Sequence, residues 1–262
     1  MFEFLDLKRY PLDQPNTQAW HDLVAQSKTA LARDGMFNLE GLLDPNIAEQ
    51  TAADLAPLFR EQSFVHQREH NIYFSQSLPG LPDDHPALMR FNTSNNTLCA
   101  DQLRGTPMDL LYRWPPFATF LAATMDKTHL HIMADPLAAL NAMSYHEGQL
   151  LNWHFDRSEF TTTMLLQAPE QGGEFVYRTD LRTENDPNYD GVAKLLKGED
   201  PKVRNLTLSP GTLNVFRGKN TPHKVAAVKG ERCRVIAVFS FFEKPGVMFS
   251  DEERIGFYGR AA

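Results

Sequence analysis

Residues 160–177 have the sequence FTTTMLLQAPEQGGEFVY, which contains two short runs rich in threonine, leucine, valine and phenylalanine. A proline and two adjacent glycines separate the runs. β-Branched, aromatic and other apolar residues favour strands, whereas proline and glycine mark turns. This stretch therefore predicts two strands, at residues 160–167 and 173–177, within a larger antiparallel sheet.

The same alternation of short apolar runs and turn residues continues on both sides of this stretch, from about residue 130 onwards. Many short strands with such punctuation indicate a mainly β fold, a sandwich or a jelly roll. Further strands are predicted at residues 140–145, 205–208, 212–216, 223–225 and 233–242.

The first third of the chain differs, because its apolar residues recur at intervals of three and four. This periodicity predicts helices at residues 17–32 and 45–60, and a third at residues 108–125 that a proline pair must interrupt or kink. A glycine-bounded alternating segment at residues 35–41 suits an edge strand. We expect the helices to flank the sheet as external support.

No proline-rich, glycine-rich or low-complexity stretch divides the chain, so residues 1–262 are expected to form one domain. Its first 128 residues should be mainly helical support, and residues 129–250 should form the jelly-roll core. Residues 178–204 interrupt the strand pattern with turn residues and a short helical piece. We expect this insertion to lie over the mouth of the sheet as a lid.

The formal net charge of -7 argues against a nucleic-acid binder, because phosphates are bound by clustered lysine and arginine. A small-molecule substrate is expected instead. The N-terminus lacks a secretory signal, and no segment approaches the roughly 18 apolar residues of a membrane span. Cys99 and Cys233 are too few for a disulfide scaffold. These features predict a cytoplasmic protein without a membrane or nucleic-acid partner, either a monomer or a homodimer.

A candidate metal site centres on the triplet His154-Phe155-Asp156, inside the strand-rich region. In extended backbone the first and third side chains project to the same side. A second histidine, His223, begins a predicted strand further along the chain. Two imidazole nitrogens and one carboxylate oxygen, with the opposite positions open, form the ligand set that suits non-haem iron(II) oxygen chemistry.

Four other histidines form two pairs whose spacing could also suit a metal. His129 and His131 alternate and could share one face, while His66 and His70 are one helical turn apart. Neither pair has a third ligand in view, so we interpret all four as surface or hydrogen-bonded residues. The role of His146 stays open.

An anionic co-substrate beside the metal would need a cation, and residues 230–234, GERCR, supply two. Arg232 and Arg234 are expected to share one face of a strand. Either guanidinium could bind a carboxylate through two parallel hydrogen bonds, and Tyr145 could add a third. The alternative for the arginines is an exposed ion pair at a strand edge.

The order and spacing of these motifs resemble the Fe(II)/2-oxoglutarate-dependent oxygenases. The likeness covers roughly residues 140–242 and is carried by YHEG at 145–148, HFD at 154–156, GGEF at 172–175, SPGTL at 209–213, His223 and Arg232. The resemblance implies a double-stranded β-helix core that uses Fe(II), 2-oxoglutarate and O2. It also implies that His154, Asp156 and His223 bind iron and that Arg232 or Arg234, with Tyr145, binds 2-oxoglutarate.

Residues 153–160, 216–218 and 241–246 further resemble the subgroup that contains free-amino-acid halogenases and related hydroxylases. Those halogenases have glycine in place of the metal-binding acid, which leaves room for chloride. This chain has Asp156, so the resemblance implies hydroxylation of an unactivated C–H bond, in a free amino acid or a derivative. Desaturation or cyclisation on the same scaffold, and a cupin-like non-redox metalloenzyme, remain alternatives.

Four residues are candidates for contact with this small polar substrate, namely Arg90, Asn92, Arg157 and Trp153. The first three could bind a polar, zwitterionic ligand. Trp153 is as well suited to the core as to a pocket wall. For the polar residues, ordinary solvation at the surface is the alternative.

Overall fold

Helices flank the sheets of the computed structural model. The structure describes residues 2–75, 77–78 and 80–262. Among these, α-helices lie at Gln18–Asp34 (α1), Pro45–Gln62 (α2), Pro107–Tyr112 (α3), Pro115–Thr124 (α4), Tyr189–Leu196 (α5) and Asp251–Tyr258 (α6), with a 3-10 turn at Pro86–Leu88. None of the described helices combines the length and the apolar character needed to cross a membrane.

The strands form two main antiparallel sheets that face each other. In chain order the strands are Met36–Leu39 (β1), Phe64–His70 (β2), Phe91–Leu98 (β3), His131–Ile132 (β4), Leu140–Tyr145 (β5), Leu151–His154 (β6), Thr161–Gln167 (β7), Gln171–Gly172 (β8), Phe175–Tyr177 (β9), Arg204–Leu206 (β10), Leu213–Phe216 (β11), His223–Val225 (β12), Val228–Lys229 (β13), Arg234–Phe239 (β14) and Phe241–Phe242 (β15). The major sheet has the order β1-β11-β7-β14-β5-β3-β2, and the minor sheet has the order β10-β9-β12-β6. The predicted mainly β, jelly-roll architecture with flanking helices is confirmed.

The central strands of the major sheet are buried on both faces, and their residues alternate between two environments. On β14, Val235 and Ala237 point outwards into the large apolar core that α1, α2 and α4 also bury. Ile236 and Arg234 point inwards, towards the minor sheet. Since both faces are buried, the strand has a nearly continuous apolar sequence. The inward face is where polar residues can meet a ligand.

The two long N-terminal helices begin and end at residues that satisfy their free backbone groups. Thr17 caps the start of α1, and Gly35 ends it in the left-handed conformation with φ +75°. Asp44 caps α2, whose first residue is Pro45. Both predicted helices are confirmed. The predicted third helix is divided into α3 and α4, because the prolines that begin α4 cannot continue the hydrogen bonding of α3.

Two strands of the major sheet, β2 and β3, lie within the first 128 residues, where the apolar pattern predicts mainly helices. They pair with each other along their whole length, and β3 also pairs with β5. The N-terminal part of the chain therefore does more than support the sheet from outside. It extends the inward face of the major sheet by two strands.

Candidate metal centre and its cavity

Two strands of the minor sheet place two histidines side by side. β6 ends at His154, β12 begins at His223, and the two residues are direct partners across the antiparallel pair. Their ring centroids lie 4.1 Å apart. Asp156 follows just beyond the end of β6, where its backbone N–H donates to the carbonyl oxygen of Gly218. The predicted triad is thus brought together by two neighbouring strands and the turn that follows one of them.

The three side chains converge closely enough to share one ion. His154 Nε2 lies 3.4 Å from Asp156 Oδ1, and His223 Nε2 lies 3.5 Å from Asp156 Oδ2. Ligand atoms that bind one metal at about 2.1 Å and at right angles lie about 3 Å apart, so these separations fit a shared divalent metal. The donor set of two nitrogens and one carboxylate is the facial triad of non-haem iron(II) sites.

Backbone carbonyls orient both imidazoles towards the common point. His154 Nδ1 lies 2.8 Å from the carbonyl oxygen of Asn152, and His223 Nδ1 lies 3.0 Å from that of Thr221. A carbonyl oxygen can only accept, so each Nδ1 carries the proton and each Nε2 keeps its lone pair for a metal. Burial, together with the nearby His154, lowers the pKa of His223 to about 4, so this ring is neutral at physiological pH.

The Asp156 carboxylate lies in a closely fitted environment. Thr161 donates a hydrogen bond of 2.5 Å to its Oδ2. A Cβ atom on Gly218 would lie 2.1 Å from the same oxygen, so glycine leaves the space that the carboxylate needs. Burial raises the pKa of Asp156, but His223, His154 and the Thr161 hydrogen bond outweigh it and hold the pKa well below its usual range. The group is therefore ionised and available as a ligand.

The triad lies in the wall of a cavity of about 330 Å³ between the two sheets. Arg234 and Tyr145, which are partners across β14 and β5, also line it. Arg234 is 3% exposed, and its Nη1 has no hydrogen-bond partner among the described residues. A buried guanidinium nitrogen without a partner is costly, so this part of the cavity fits a carboxylate ligand. Burial raises the pKa of Tyr145 to about 12, so its hydroxyl stays protonated and can donate.

Arg232, the other predicted anchor, lies on the outside of the molecule. It pairs with Glu49 at 2.8 Å and donates to the carbonyl oxygen of Ala168. Because β14 begins only at Arg234, Arg232 precedes the strand, and the prediction that the two arginines share one inward face is wrong. The structure brings Arg234 alone of the two to the cavity.

Of the four predicted substrate contacts, Arg157 is the one that lines the cavity. Arg90 is exposed and lies 3.3 Å from Glu69, and Asn92 is also exposed. Trp153 is buried in a separate apolar cluster. For these three residues the prediction does not match the structure. The odd-numbered residues of β3 face the cavity, so Asn92 points away from it.

β2 and β3 supply cavity residues that the sequence analysis does not identify. The lining residues on these strands are His66, Arg68, Thr93, Asn95 and Thr97. Both strands carry polar residues on both faces, so no apolar alternation marks them. The available signal is the spacing of His66, Arg68 and His70, which places them on one face if the segment is a strand rather than a helix. A further lining residue, Asn214, is buried on β11.

His70 connects β2 to the metal ligands through hydrogen bonds. Its Nδ1 lies 2.8 Å from the carbonyl oxygen of Asn71, so Nε2 accepts the hydrogen bond from the Thr93 hydroxyl at 2.8 Å. The same hydroxyl oxygen accepts from the backbone N–H of Asn152 at 2.9 Å. Asn152 in turn orients the ring of His154. The interpretation of His70 as a hydrogen-bonded residue fits this arrangement.

The second histidine pair is not part of a comparable cluster. The rings of His129 and His131 lie 6.4 Å apart. Within the ranges that the structure describes, the triad is the one set of three His, Cys, Asp or Glu side chains close enough to hold an ion together.

The insertion at residues 178–204 contains α5, which packs in an apolar cluster. None of its described residues lines the cavity. Val192 and Leu195 of α5 join Trp153 and Phe155 in an apolar cluster. Its position over the mouth stays a prediction, and α6 lines the cavity with Phe257 and Tyr258.

A family model described as Halogenase D matches residues 19–248. The chain belongs to the halogenase D family. No curated protein gave a significant match. Among solved structures, the epimerase SnoN from nogalamycin biosynthesis is similar at 14% identity over 83% of each chain, with a TM-score of 0.56. A prolyl-4-hydroxylase from Pseudomonas putida has 14% identity over 83% of this chain and 98% of its own, with a TM-score of 0.51.

A third similar structure is HygX from Streptomyces hygroscopicus, solved with nickel and 2-oxoglutarate bound. It has 14% identity over 82% of this halogenase D family member and 85% of its own chain, with a TM-score of 0.51. At this level of identity the three structures establish the shared fold. The chemistry of this family member must be argued from its own residues.

Proposed function

We propose that this protein is an Fe(II)- and 2-oxoglutarate-dependent dioxygenase that hydroxylates an unactivated C–H bond of a small polar substrate, an amino acid or a derivative. The observation that carries the proposal is the placement of the triad, His154, Asp156 and His223, in one cavity with the buried guanidinium of Arg234, whose Nη1 has no hydrogen-bond partner among the described residues. A non-redox metalloenzyme of the cupin type would need the ligands but not this cation. The 2-oxoglutarate bound to the similar HygX supports the same assignment.

Each of these residues has a separate task. When bound, iron(II) and 2-oxoglutarate supply the oxidising chemistry with O2. The triad holds the metal from one side and leaves the opposite positions open. Arg234 binds the distal carboxylate of 2-oxoglutarate by charge-assisted hydrogen bonds, and Tyr145 can donate another. The cavity wall orients one C–H bond of the substrate and excludes water.

Asp156 favours hydroxylation over halogenation in this family member. In the halogenases that the sequence resembles, glycine at this position leaves room for a halide. Here the carboxylate occupies the coordination position, and Thr161 and Gly218 fit closely around it. A halide ion would have to displace a ligand that its surroundings hold in place.

The direct test is the iron-dependent conversion of 2-oxoglutarate to succinate, in the presence of a panel of amino acids and their derivatives. We expect succinate to form when Fe(II), ascorbate and O2 are supplied, and Asp156→Ala to abolish both turnover and tight iron binding. Arg232→Gln is a matched control that should keep wild-type turnover, since Arg232 is outside the cavity. No turnover with any compound, together with unchanged iron affinity in Asp156→Ala, would refute the proposal.

Mass spectrometry of the product formed at high chloride concentration distinguishes hydroxylation from halogenation. Hydroxylation adds one oxygen atom to the substrate, whereas halogenation replaces a hydrogen with chlorine. We expect the oxygenated product alone. A chlorinated product would contradict the role assigned to Asp156.

A further inference from the structure

One polar side chain of the cavity wall has neither a hydrogen-bond partner nor a task in the proposed function. Asn214 lies on β11, is 1% exposed and lines the same cavity as the triad. Neither the nitrogen nor the oxygen of its amide has a partner among the described residues. The hydroxyl of Thr163, the residue opposite on β7, donates to the backbone carbonyl of Asn214 and not to the amide. A buried amide without partners is costly, so this group fits a ligand that fills the cavity.

The register of the sheet places Asn214 close to the metal ligands. The next inward residue along β11 is Phe216, whose ring centre lies 4.7 Å from that of His223. Across the pair with β7, Phe216 lies opposite Thr161, which donates to Asp156. Phe216 and Thr161 therefore lie at the level of the metal. Asn214 is one inward position away, which is roughly 7 Å along the strand.

Arg234 lies further from Asn214 than the metal ligands do. The inward residue after Arg234 on β14 is Ile236, which pairs with Leu165 on β7. Leu165 is one inward position beyond Thr163, the residue opposite Asn214. By backbone position Arg234 is thus two inward positions deeper than Asn214, roughly 14 Å along the strands, and two strands across the sheet. Of the two ends of a keto acid held between the triad and Arg234, the metal-chelating end is nearer to the amide.

β2 and β3, which also contribute polar residues to the cavity wall, lie on the other half of the major sheet. β3 is four strands away from β11, roughly 19 Å at the usual strand spacing. Asn214 therefore lies beside the keto acid rather than beside a small compound bound against β2 and β3.

We propose that Asn214 binds 2-oxoglutarate at its metal-chelating end, by donating a hydrogen bond from the amide to the carboxylate beside the keto group. A divalent metal with one carboxylate ligand keeps a net positive charge, so this carboxylate already has a cation to pair with. An amide N–H adds a donor without adding a charge that would repel the metal. Its fixed position would also set the orientation of the bound keto acid. This inference rests on the proposed oxygenase function and adds a co-substrate-binding residue to it.

The test compares 2-oxoglutarate with pyruvate, which has the same chelating end but lacks the distal carboxylate. Anaerobic titration into the Fe(II)-loaded protein, followed by visible charge-transfer absorption, measures the dissociation constant of each. Asn214→Leu keeps the approximate size of the side chain and removes both polar atoms. In this variant both keto acids should bind roughly tenfold to a hundredfold more weakly, as expected for a lost hydrogen bond to a charged group. In Arg234→Gln only 2-oxoglutarate should bind more weakly, because pyruvate has no group for the guanidinium.

Controls separate a binding role of Asn214 from a structural one. Asn38→Leu makes the same substitution directly across from Asn214 on β1, at an exposed residue, and should leave both affinities unchanged. Without ligands, Asn214→Leu should melt at no lower temperature than wild type, since it removes a buried amide that lacks partners. Its affinity for Fe(II) alone, measured by chelator competition, should also match wild type. Asn214→Ser, which shortens the side chain but keeps it polar, should weaken the binding of both keto acids as well.

Three results would overturn the inference. The first is unchanged affinity of both Asn214 variants for both keto acids. The second is a loss in Asn214→Leu that is confined to 2-oxoglutarate, which would place the amide at the distal carboxylate. The third is a lower melting temperature together with weaker Fe(II) binding, which would make Asn214 a structural residue. Failure of the oxygenase function itself would look different, because the wild type would then show no absorption with either keto acid.

Discussion

Gly218 and Asp156 are in such close contact that the glycine determines where the carboxylate can lie. In Gly218→Ala the new methyl group would occupy the place of Asp156 Oδ2, 2.1 Å away. The carboxylate must then turn away from the two histidines. We expect Fe(II) affinity to fall about tenfold to a hundredfold, as for other changes beside metal ligands. Competition with a fluorescent chelator measures the affinity.

Gly256→Ala is a suitable control for that substitution. Gly256 lies in α6, and a Cβ atom there would meet no atom within 4 Å. Alanine in a helix is also more favourable than glycine. The control should therefore keep wild-type metal affinity and lose no stability. If both alanine variants bound iron equally well, the close fit around Asp156 would have no functional meaning.

Arg234 and Arg232 form a second matched pair. In Arg234→Gln the binding of 2-oxoglutarate should weaken by about 2–5 kcal/mol, because the distal carboxylate loses its charged partner. The ligand-free variant should melt at the same or a higher temperature than wild type, since a buried charge without an ionic partner is removed. Arg232→Gln should change neither quantity by much. A larger effect of Arg232→Gln on the KM for 2-oxoglutarate would contradict the assignment.

At the scale of residues, the sequence predicts the metal ligands but does not distinguish between the two candidate arginines for 2-oxoglutarate. The triad could be predicted, because the first and third side chains of an extended segment project to one side, which brings His154 and Asp156 together although β6 ends at His154. The anchor could not be chosen, since Arg232 and Arg234 differ only by lying outside or inside β14. The apolar pattern does not define the first residue of a strand that sharply.

At the scale of elements, a hydrogen-bond chain joins β2, β3 and β6 behind the metal. The Thr93 hydroxyl donates to His70 and accepts from Asn152. Thr93→Val keeps the shape but leaves both partners unsatisfied, which should cost about 1–3 kcal/mol in the free energy of unfolding. We also expect weaker Fe(II) binding, because Asn152 orients His154. Urea unfolding and metal titration measure the two effects.

Thr93→Ser is the matched control, since serine keeps the hydroxyl group and loses one methyl. It should recover most of the metal affinity that Thr93→Val loses. Equal losses of metal affinity in both variants would mean that packing of the methyl group, rather than the hydrogen-bond chain, positions the ligand.

β2 and β3 are the two strands of the major sheet that the sequence does not predict. In most strands of the major sheet one face packs against helices, so apolar residues reveal them, as in residues 160–167. β2 is at the edge of the sheet, and its inward face contributes polar side chains, His66 and Arg68, to the cavity wall. Neither an edge position nor a polar stretch of cavity wall requires apolar side chains. Residues 64–70 and 91–98 therefore lack the apolar alternation that would predict a strand. The cavity residues on these two strands are missed for this same reason.

α6 is anchored by a buried ion pair that makes stability depend on pH. Arg254 contacts Asp135 at 2.9 Å, and Asp135 also accepts from the backbone N–H groups of Leu137 and Ala138. Burial raises the pKa of Asp135, but these hydrogen bonds and Arg254 lower it overall. The carboxylate therefore stabilises the fold above its unfolded pKa of about 3.9, and this contribution is lost as the pH falls below that value.

Because Asp135 has a lower pKa in the folded state, the free energy of unfolding of the metal-free protein should decrease as the pH is lowered from 6 to 3. Urea unfolding at a series of pH values measures this decrease. Asp135→Asn should be less stable at neutral pH, because Arg254 loses its buried partner. It should also show a shallower decrease with acid, since one titrating carboxylate is gone. If the free energies of unfolding of wild type and Asp135→Asn changed in parallel with pH, Asp135 would not contribute to the pH dependence of stability.

At the scale of the whole molecule, the two faces of the major sheet have different roles, one in stability and the other in chemistry. Its outward face belongs to the apolar core with the helices, and its inward face lines the cavity. The metal ligands come from the minor sheet and the turn after β6, while Arg234 comes from the major sheet. Iron and 2-oxoglutarate would therefore connect the two sheets. Their combined binding should stabilise the folded state, as any ligand specific to it does.

Anaerobic titration of 2-oxoglutarate into the Fe(II)-loaded protein tests the central claim most directly. If the keto acid chelates an iron held by the triad, a visible metal-to-ligand charge-transfer absorption should develop and saturate at one equivalent. Asp156→Ala should abolish it, and Arg234→Gln should shift it to much higher concentrations. No absorption in the wild type, or an unchanged titration in Asp156→Ala, would contradict the account.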